Sequence, residues 1–223
     1  MDNSAFDPTP RTTLQRVPER ASYDRDLIYR ILDEGMVCHV GFVVEDQPYV
    51  IPMNYARRGD ELILHGSGAS RLLKRLREGA PACVTVTLLD GLVLARSALH
   101  HSVNFRSVVV LGTAESVRDP EDKKDALRYL VEHVIPGRAK DARPPSDSEV
   151  TATTVLKIPI KEASAKTRSG PPSDAEADLQ LPVWTGVIPL QTVAMEAEPD
   201  ETMAPGIEVP QYVSDYRRPA GPK

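Results

Sequence analysis

A chain of 223 residues, 41% of them hydrophobic, carries enough apolar material for one sizeable core without disulfide or metal staples. Its 32 acidic residues outnumber 27 basic ones, and the formal net charge of −5 argues against a general binder of nucleic acid or anionic membrane. No apolar run approaches the ~20 residues of a spanning helix, the start "MDNSAFDPTP" lacks signal-peptide order, and Cys38 and Cys83 lie apart in apolar runs, so a soluble protein of the reducing cytoplasm is expected.

Residues 22–35 predict a helix, with Ser22 as N-cap, Leu27, Ile28, Ile31 and Leu32 at helical spacing, and Gly35 as the stop. The period then changes. "MVCHVGFVV", "PYVIPMNYA" and "DELILHG" predict antiparallel strands joined by tight turns at "EDQ" and "RRGD". "GASRLLKRLREG" (68–79) returns to helical spacing, and residues 82–98 with 103–117 read as three further strands. Pro120 after Asp119 opens a helix with Leu127, Leu130, Val131 and Val134 on one face. After a proline-rich loop around 143–146, "TATTVLKIPI" is the last internal strand. Residues 162–182 look too polar and too rich in Gly, Pro and Ser for a core element, while "VWTGVIPL" (183–190) reads as a short strand carrying the one tryptophan. The expected organisation is an extension over 1–11, one domain over 12–195 with a C-terminal arm at 163–195, and an acidic, proline-rich tail over 196–223, extended or disordered. Helices inserted among many short strands favour an antiparallel β-barrel over a parallel α/β sheet.

The stretch "RSALHHSVNFRSVVVLG" (96–112) sets polar chemistry at the mouth of an apolar strand: a metal site, a nucleophilic site or a cofactor cradle. His39, His65, His100, His101, Cys38 and Cys83 show no metal-ligand spacing, so no metal site is expected, and G-x-S-x-G is absent. "HGSGASR" (65–71) lacks the third glycine of a dinucleotide fingerprint and the G-K-[ST] of a P-loop. It nevertheless joins a strand, a small-residue turn and a helix start bearing Ser70, Arg71 and Lys74, on which one anion could be held. The same residues also make an ordinary solvated helix face, and spacing does not separate the two readings.

The ordered series "YVIPMNY", "LILHGSGASRLLKRL", "ARSALHHSVNFRSVVVLGTAESV", "VLKIPIKEASAKTRSGPP" and "LPVWTGVIPL" resembles the flavin-nucleotide-binding branch of the pyridoxamine 5′-phosphate oxidase-like split-barrel superfamily, which includes nitroimidazole-resistance reductases. The resemblance spans about Thr12 to Leu190. It implies a mainly β fold with flanking helices, a six-stranded antiparallel split β-barrel, and a homodimer with FMN in clefts between subunits. By the same resemblance His65, Ser70, Arg71 and Lys74 would surround the FMN phosphate, and the backbone of Pro52, Met53, Asn54 and Tyr55 would line the ring. Ser102, Asn104, Arg106 and Ser107 would form the polar cradle, and Trp184 would approach the partner subunit's flavin. Arg106 has a competing reading as an ion pair with surface acids. One visible anion site points to FMN over FAD. Arg217 and Arg218 match poorly the arginine-rich signature with which the true oxidases bind pyridoxal phosphate, which puts vitamin B6 oxidation in doubt. Because the fold also hosts haem-degrading, deazaflavin-using and nitro-reducing proteins, it cannot name a substrate. The expected function is an FMN-dependent oxidoreductase acting on a small molecule, with a non-catalytic flavin carrier or sensor as the alternative.

Overall fold

The computed structural model describes residues 4–217. Helix α1 (Arg25–Glu34) is capped by Asp24, whose carboxylate accepts from the Leu27 amide at 2.7 Å, rather than by Ser22. Ser22 is committed elsewhere: with Ala21 it forms β1 (Ala21–Ser22), paired to Ala165 and Lys166. Gly35 ends α1 as expected, but for space rather than for backbone freedom. Its φ of −69° suits any residue, whereas a Cβ there would meet Val86 Cγ1 at 2.4 Å and the Tyr55 hydroxyl at 2.7 Å.

A meander follows, β2 (Val37–Val44), β3 (Gln47–Arg58) and β4 (Glu61–Ser67). Glu45 and Asp46 both take positive φ at the first turn, the geometry that suits the twist of a two-residue hairpin. Helix α2 (Arg71–Arg77) leads to the long pair β5 (Pro81–Leu94) and β6 (Ser102–Thr113), then β7 (Glu115–Ser116), helices α3 (Pro120–Val134) and α4 (Asp147–Ala152), and β8 (Thr153–Pro159). The chain continues through β9 (Glu162–Arg168), β10 (Gly186–Pro189) and the short helix α5 (Gln211–Ser214). The strands make one antiparallel sheet in the order β1-β9-β6-β5-β2-β3-β4-β8-β7, with β10 on β5. The fold is therefore mainly antiparallel β with a few flanking helices. Of its ten described strands, β1, β7 and β10 are short additions of two to four residues, which leaves seven longer strands against the expected six.

Two segments correct the sequence reading. The stretch at 162–168, read as too polar for a core element, is β9, with Ala163, Ser164 and Ala165 buried against β6. Small side chains let that strand pack closely where a hydropathy pattern shows little. The proline-rich loop ends at once in α4, whose Ser146 and Glu149 form a reciprocal capping box. Phe6, in the segment expected as an extension, is buried, and its amide donates to Tyr23 O at 2.8 Å. The acidic segment is irregular and exposed over 191–209, and its last six residues, Arg218 among them, lie outside the described residues.

Strand parity divides the core. Tyr55, Leu62 and Leu64 face the main core with α1 and α2, while Ala56 and Ile63 face a smaller cluster with Val117, Val155, Ala126 and Leu130 beneath α3. Among the described residues no helix is long and apolar enough to cross a membrane.

Candidate functional site

The same parity places the first part of a site. On β4, His65 lies two residues beyond Ile63 and so shares the face turned to α3. On β3, Asn54 is two residues before Ala56 and falls on that face too, one step beyond the pair Tyr55 and Leu64 in the ladder. Asn54 and His65 line a cavity of about 950 Å³, within the range of cofactor pockets. Its apolar wall comes from Leu127, Leu130, Val131 and Val134 of α3 together with Ile135, Ala139, Ala142, Pro144 and Pro145.

The helix carrying that wall is well founded locally. Asp119 caps it by accepting from the Asp122 amide at 2.9 Å, and Pro120 occupies the first turn, where its missing N–H costs nothing. In its last turn, Glu132 accepts from the amides of Gly137 and Ala139 at 2.7 and 2.9 Å and fixes the turn that forms the cavity's mouth. Gly137 takes φ +94°, a conformation that favours glycine.

His65 is the unusual group. Its Nδ1 is buried without a hydrogen-bond partner, and burial lowers the imidazole pKa from its ordinary 6.5, so the ring is neutral at pH 7. A buried ring nitrogen left unsatisfied calls for an explanation, and a neutral imidazole beside a cavity is a competent metal ligand. Among the described residues no three His, Cys, Asp or Glu side chains converge on a bare metal ion. An iron already held by a porphyrin needs far fewer protein ligands, and one histidine suffices.

The remaining expected site residues are distributed as follows. Ser70 caps α2, its hydroxyl accepting from the Leu73 amide at 3.5 Å, and Arg71 lies exposed with its guanidinium 5.1 Å from the Tyr49 ring centroid. Lys74 is exposed on the same helix. Pro52 is exposed and pairs with His39, Met53 is half-buried, and Tyr55 is a core residue whose hydroxyl donates to Leu32 O at 2.5 Å. The polar residues of β6 are largely committed internally. Asn104 is buried, donating to Gly170 O at 3.1 Å and accepting from Arg168, and the Ser107 hydroxyl donates to Lys166 O at 3.1 Å. Ser102 is exposed near the strand start, opposite Val93.

Arg106 holds two carboxylates at once, Glu34 at 2.5 and 2.9 Å and Asp90 at 2.8 and 2.9 Å, and these bonds push its pKa further up. Asp90 reaches it because the β5–β6 register slips between Leu89 and Gly91. Trp184 is 67% exposed, its ring against Gly186 at the start of β10. His100 and His101 bond within their own turn, to Ser97 Oγ at 3.1 Å and Ser97 O at 2.9 Å.

The cavity's far wall was not readable as a site. Leu127, Leu130, Val131 and Val134 have the spacing of any core-facing helix, and nothing in that spacing says that part of the face overlooks open space. Arg138 and Arg143, at the mouth, carried no local signal beyond their charge.

Comparison with known proteins bears on this geometry. The family described as pyridoxamine 5′-phosphate oxidase matches residues 24–167. The structure of the flavocytochrome Anf3 from Azotobacter vinelandii is 41% identical and superposes with a TM-score of 0.89, covering 95% of this chain and 99% of its own. The FAD and haem binding protein from Mycobacterium smegmatis is 35% identical, with a TM-score of 0.84, covering 88% and 96%. A structure from Bacteroides thetaiotaomicron described as a 5-nitroimidazole antibiotic resistance protein is 28% identical, with a TM-score of 0.57, covering 66% and 85%. No curated protein matches the sequence.

Proposed function

The chain belongs to the pyridoxamine 5′-phosphate oxidase family, and from that premise we propose that it is a flavin-dependent oxidoreductase that also holds a haem, in the cavity beneath α3. The observation that carries the haem is His65, whose buried Nδ1 is without a partner beside an apolar cavity with arginines at its mouth. An imidazole, apolar walls and peripheral cations are the donor set that an iron porphyrin with carboxylate side chains requires. The neighbours described as a flavocytochrome and as a FAD and haem binding protein support the pairing of the two groups. When bound, a flavin supplies the change from two-electron to one-electron transfer, and a haem supplies a one-electron centre.

What the chain's own residues do follows from their placement. His65 stays neutral and offers a lone pair, the α3 side chains give the occupant an apolar wall, and Asn54 gives the cavity a polar group next to the imidazole. For the flavin, Ser70, Arg71 and Lys74 would hold phosphate oxygens, and the exposed edge at Pro52 and Met53 would take the ring. We assign the flavin as FAD rather than FMN. A single anion site does not separate the two, since a pyrophosphate can present both its phosphates to one cluster, and the Mycobacterium smegmatis neighbour is described as binding FAD.

Titrating flavin-free protein with FAD, FMN and riboflavin tests this. FAD is expected to bind tightest, and a preference for FMN overturns the assignment. Arg71→Ala is expected to weaken both nucleotides by about tenfold and to leave riboflavin unchanged. Reduction of the bound flavin by NAD(P)H with reoxidation by an added acceptor supports an oxidoreductase, and its failure favours the carrier reading.

The same proposal makes the protein a homodimer. Ile188, Leu92 and Val103 are in register across β10, β5 and β6, and all three are exposed, forming an apolar row on the sheet with Leu89 and Leu190 nearby. Light scattering at micromolar concentration is expected to give twice the chain mass of 24.5 kDa, and a holo monomer rules this out.

A further inference from the structure

The irregular segment after β10 does not simply trail away. Helix α5 returns it to the turn after α3, next to Arg138 of the His65 cavity, where the Tyr212 ring packs on Gly137; a Cβ at that glycine would lie 3.4 Å from Tyr212 Cγ. The Tyr212 hydroxyl donates to Asp141 Oδ2 at 2.7 Å and accepts from Arg138 Nη1 at 3.0 Å. Tyr216 adds a second anchor, its hydroxyl donating to Val134 O at 3.0 Å on the cavity wall.

The cations around the cavity differ in what they already hold. Lys124 is shared by Glu121 and Asp147, Arg128 is bonded to Asp125, and Arg143 is bonded to Glu149 through both terminal nitrogens. Arg138, among the described residues, meets no carboxylate in a hydrogen bond or ion pair; it meets the Tyr212 hydroxyl, and Asp141, on the other side of that hydroxyl, acts on it only through space. A guanidinium with five donors and one neutral acceptor retains most of its capacity for a bidentate anion. It also lines a cavity whose α3 wall is apolar and whose other charged lining residues are paired with one another, so an anion there would belong to a ligand whose body is buried and whose edge is charged.

We propose that α5 is a strap on the cavity mouth and that Tyr212 is a positioning residue, holding Arg138 where it takes a carboxylate of the cavity's occupant. This rests on the reading of the cavity as a porphyrin site and adds to it the group that recognises the porphyrin's acidic edge. Tyr212 limits the rotamers open to Arg138, and Asp141 in turn orients the hydroxyl by accepting its hydrogen bond. Linkage then requires the reverse effect, in which a bound carboxylate steadies α5.

The experiment uses the full chain with iron protoporphyrin and with its dimethyl ester, which keeps the iron and the apolar body but removes the carboxylates. The Soret band reports binding and amide hydrogen exchange reports α5. Wild type is expected to prefer the acid by about tenfold. Arg138→Gln is expected to erase that preference, Arg138→Lys to restore part of it, and Tyr212→Phe, which keeps the ring on Gly137, to reduce it by about threefold. Exchange over 211–216 is expected to slow on loading with the acid and not with the ester. If wild type binds neither compound, the cavity is not a porphyrin site and the proposal falls with it. If wild type binds both equally, the cavity reading stands and the role of Arg138 is overturned. If Tyr212→Phe keeps the full preference, the strap is overturned and Arg138 acts alone.

Discussion

Replacing His65 by alanine is expected to lower the affinity for haem by about 100-fold or more, since even groups one step removed from a metal cost 10–100-fold when lost. The spectrum of any haem that remains should lose the features of histidine ligation. Folding should survive the change, because the buried Nδ1 leaves no partner behind and the Ile63 and Leu64 contacts of β4 are retained. The pH dependence has a definite sign. Burial lowers the His65 pKa below 6.5, so the folded apo chain binds fewer protons than the unfolded chain as pH falls past that value. The neutral ring's contribution is present above pH ~6.5 and lost as pH falls through the lowered folded pKa. Haem binding should follow the same course and persist somewhat below pH 6.5. Unchanged haem affinity in His65→Ala, measured by absorbance titration, removes His65 from the iron.

Arg106→Ala is expected to destabilise the fold by roughly 2–4 kcal/mol while leaving the reduction midpoint of bound flavin unchanged. The side chains of Arg106 and Glu34 are each only 15% exposed, and Asp90 is 33% exposed. Removing the cation would leave two carboxylates facing each other with little solvent, at the junction of the end of α1 with the bulge between β5 and β6. That cost exceeds the ~1 kcal/mol or less typical of an exposed pair. For a chain of this size it corresponds to a fall in melting temperature of about 5–15 °C. Arg106→Lys should recover only part, because one ammonium cannot reproduce four directed bonds. A shifted flavin midpoint at unaltered melting temperature would return Arg106 to the flavin cradle.

The contrast between His65 and Arg106 shows how much of the site was legible. Both stood out as polar residues against strands, and the resemblance to flavin proteins set both beside a cofactor. His65 does line a cavity, but on the α3 face of β4. Arg106 meets Glu34 and Asp90, 72 and 16 residues away in the chain. No local pattern shows which acid a strand arginine will meet, because that depends on the sheet order and on a one-residue bulge. Likewise the acidic, proline-rich composition of 196–223 reads as an extended or disordered tail and gives no sign that Tyr212 would return to Gly137.

By itself the sequence determined what depends on neighbouring residues. Alternation set the strands β2, β3, β4 and β8, helical spacing with Asp119, Pro120 and Gly35 set α1 and α3, and ordered motifs set the family, because these are local conformational preferences written at periods of 2 and 3.6. Only the tertiary structure decided that Ala163 and Ala165 are core, that α3 turns part of its apolar face to a cavity rather than to other side chains, and which cation at that cavity makes no hydrogen bond or ion pair to a carboxylate among the described residues. Those facts follow from long-range pairing, where burial, open volume and charge neutralisation are properties of segments brought together by the fold rather than of any one stretch of chain.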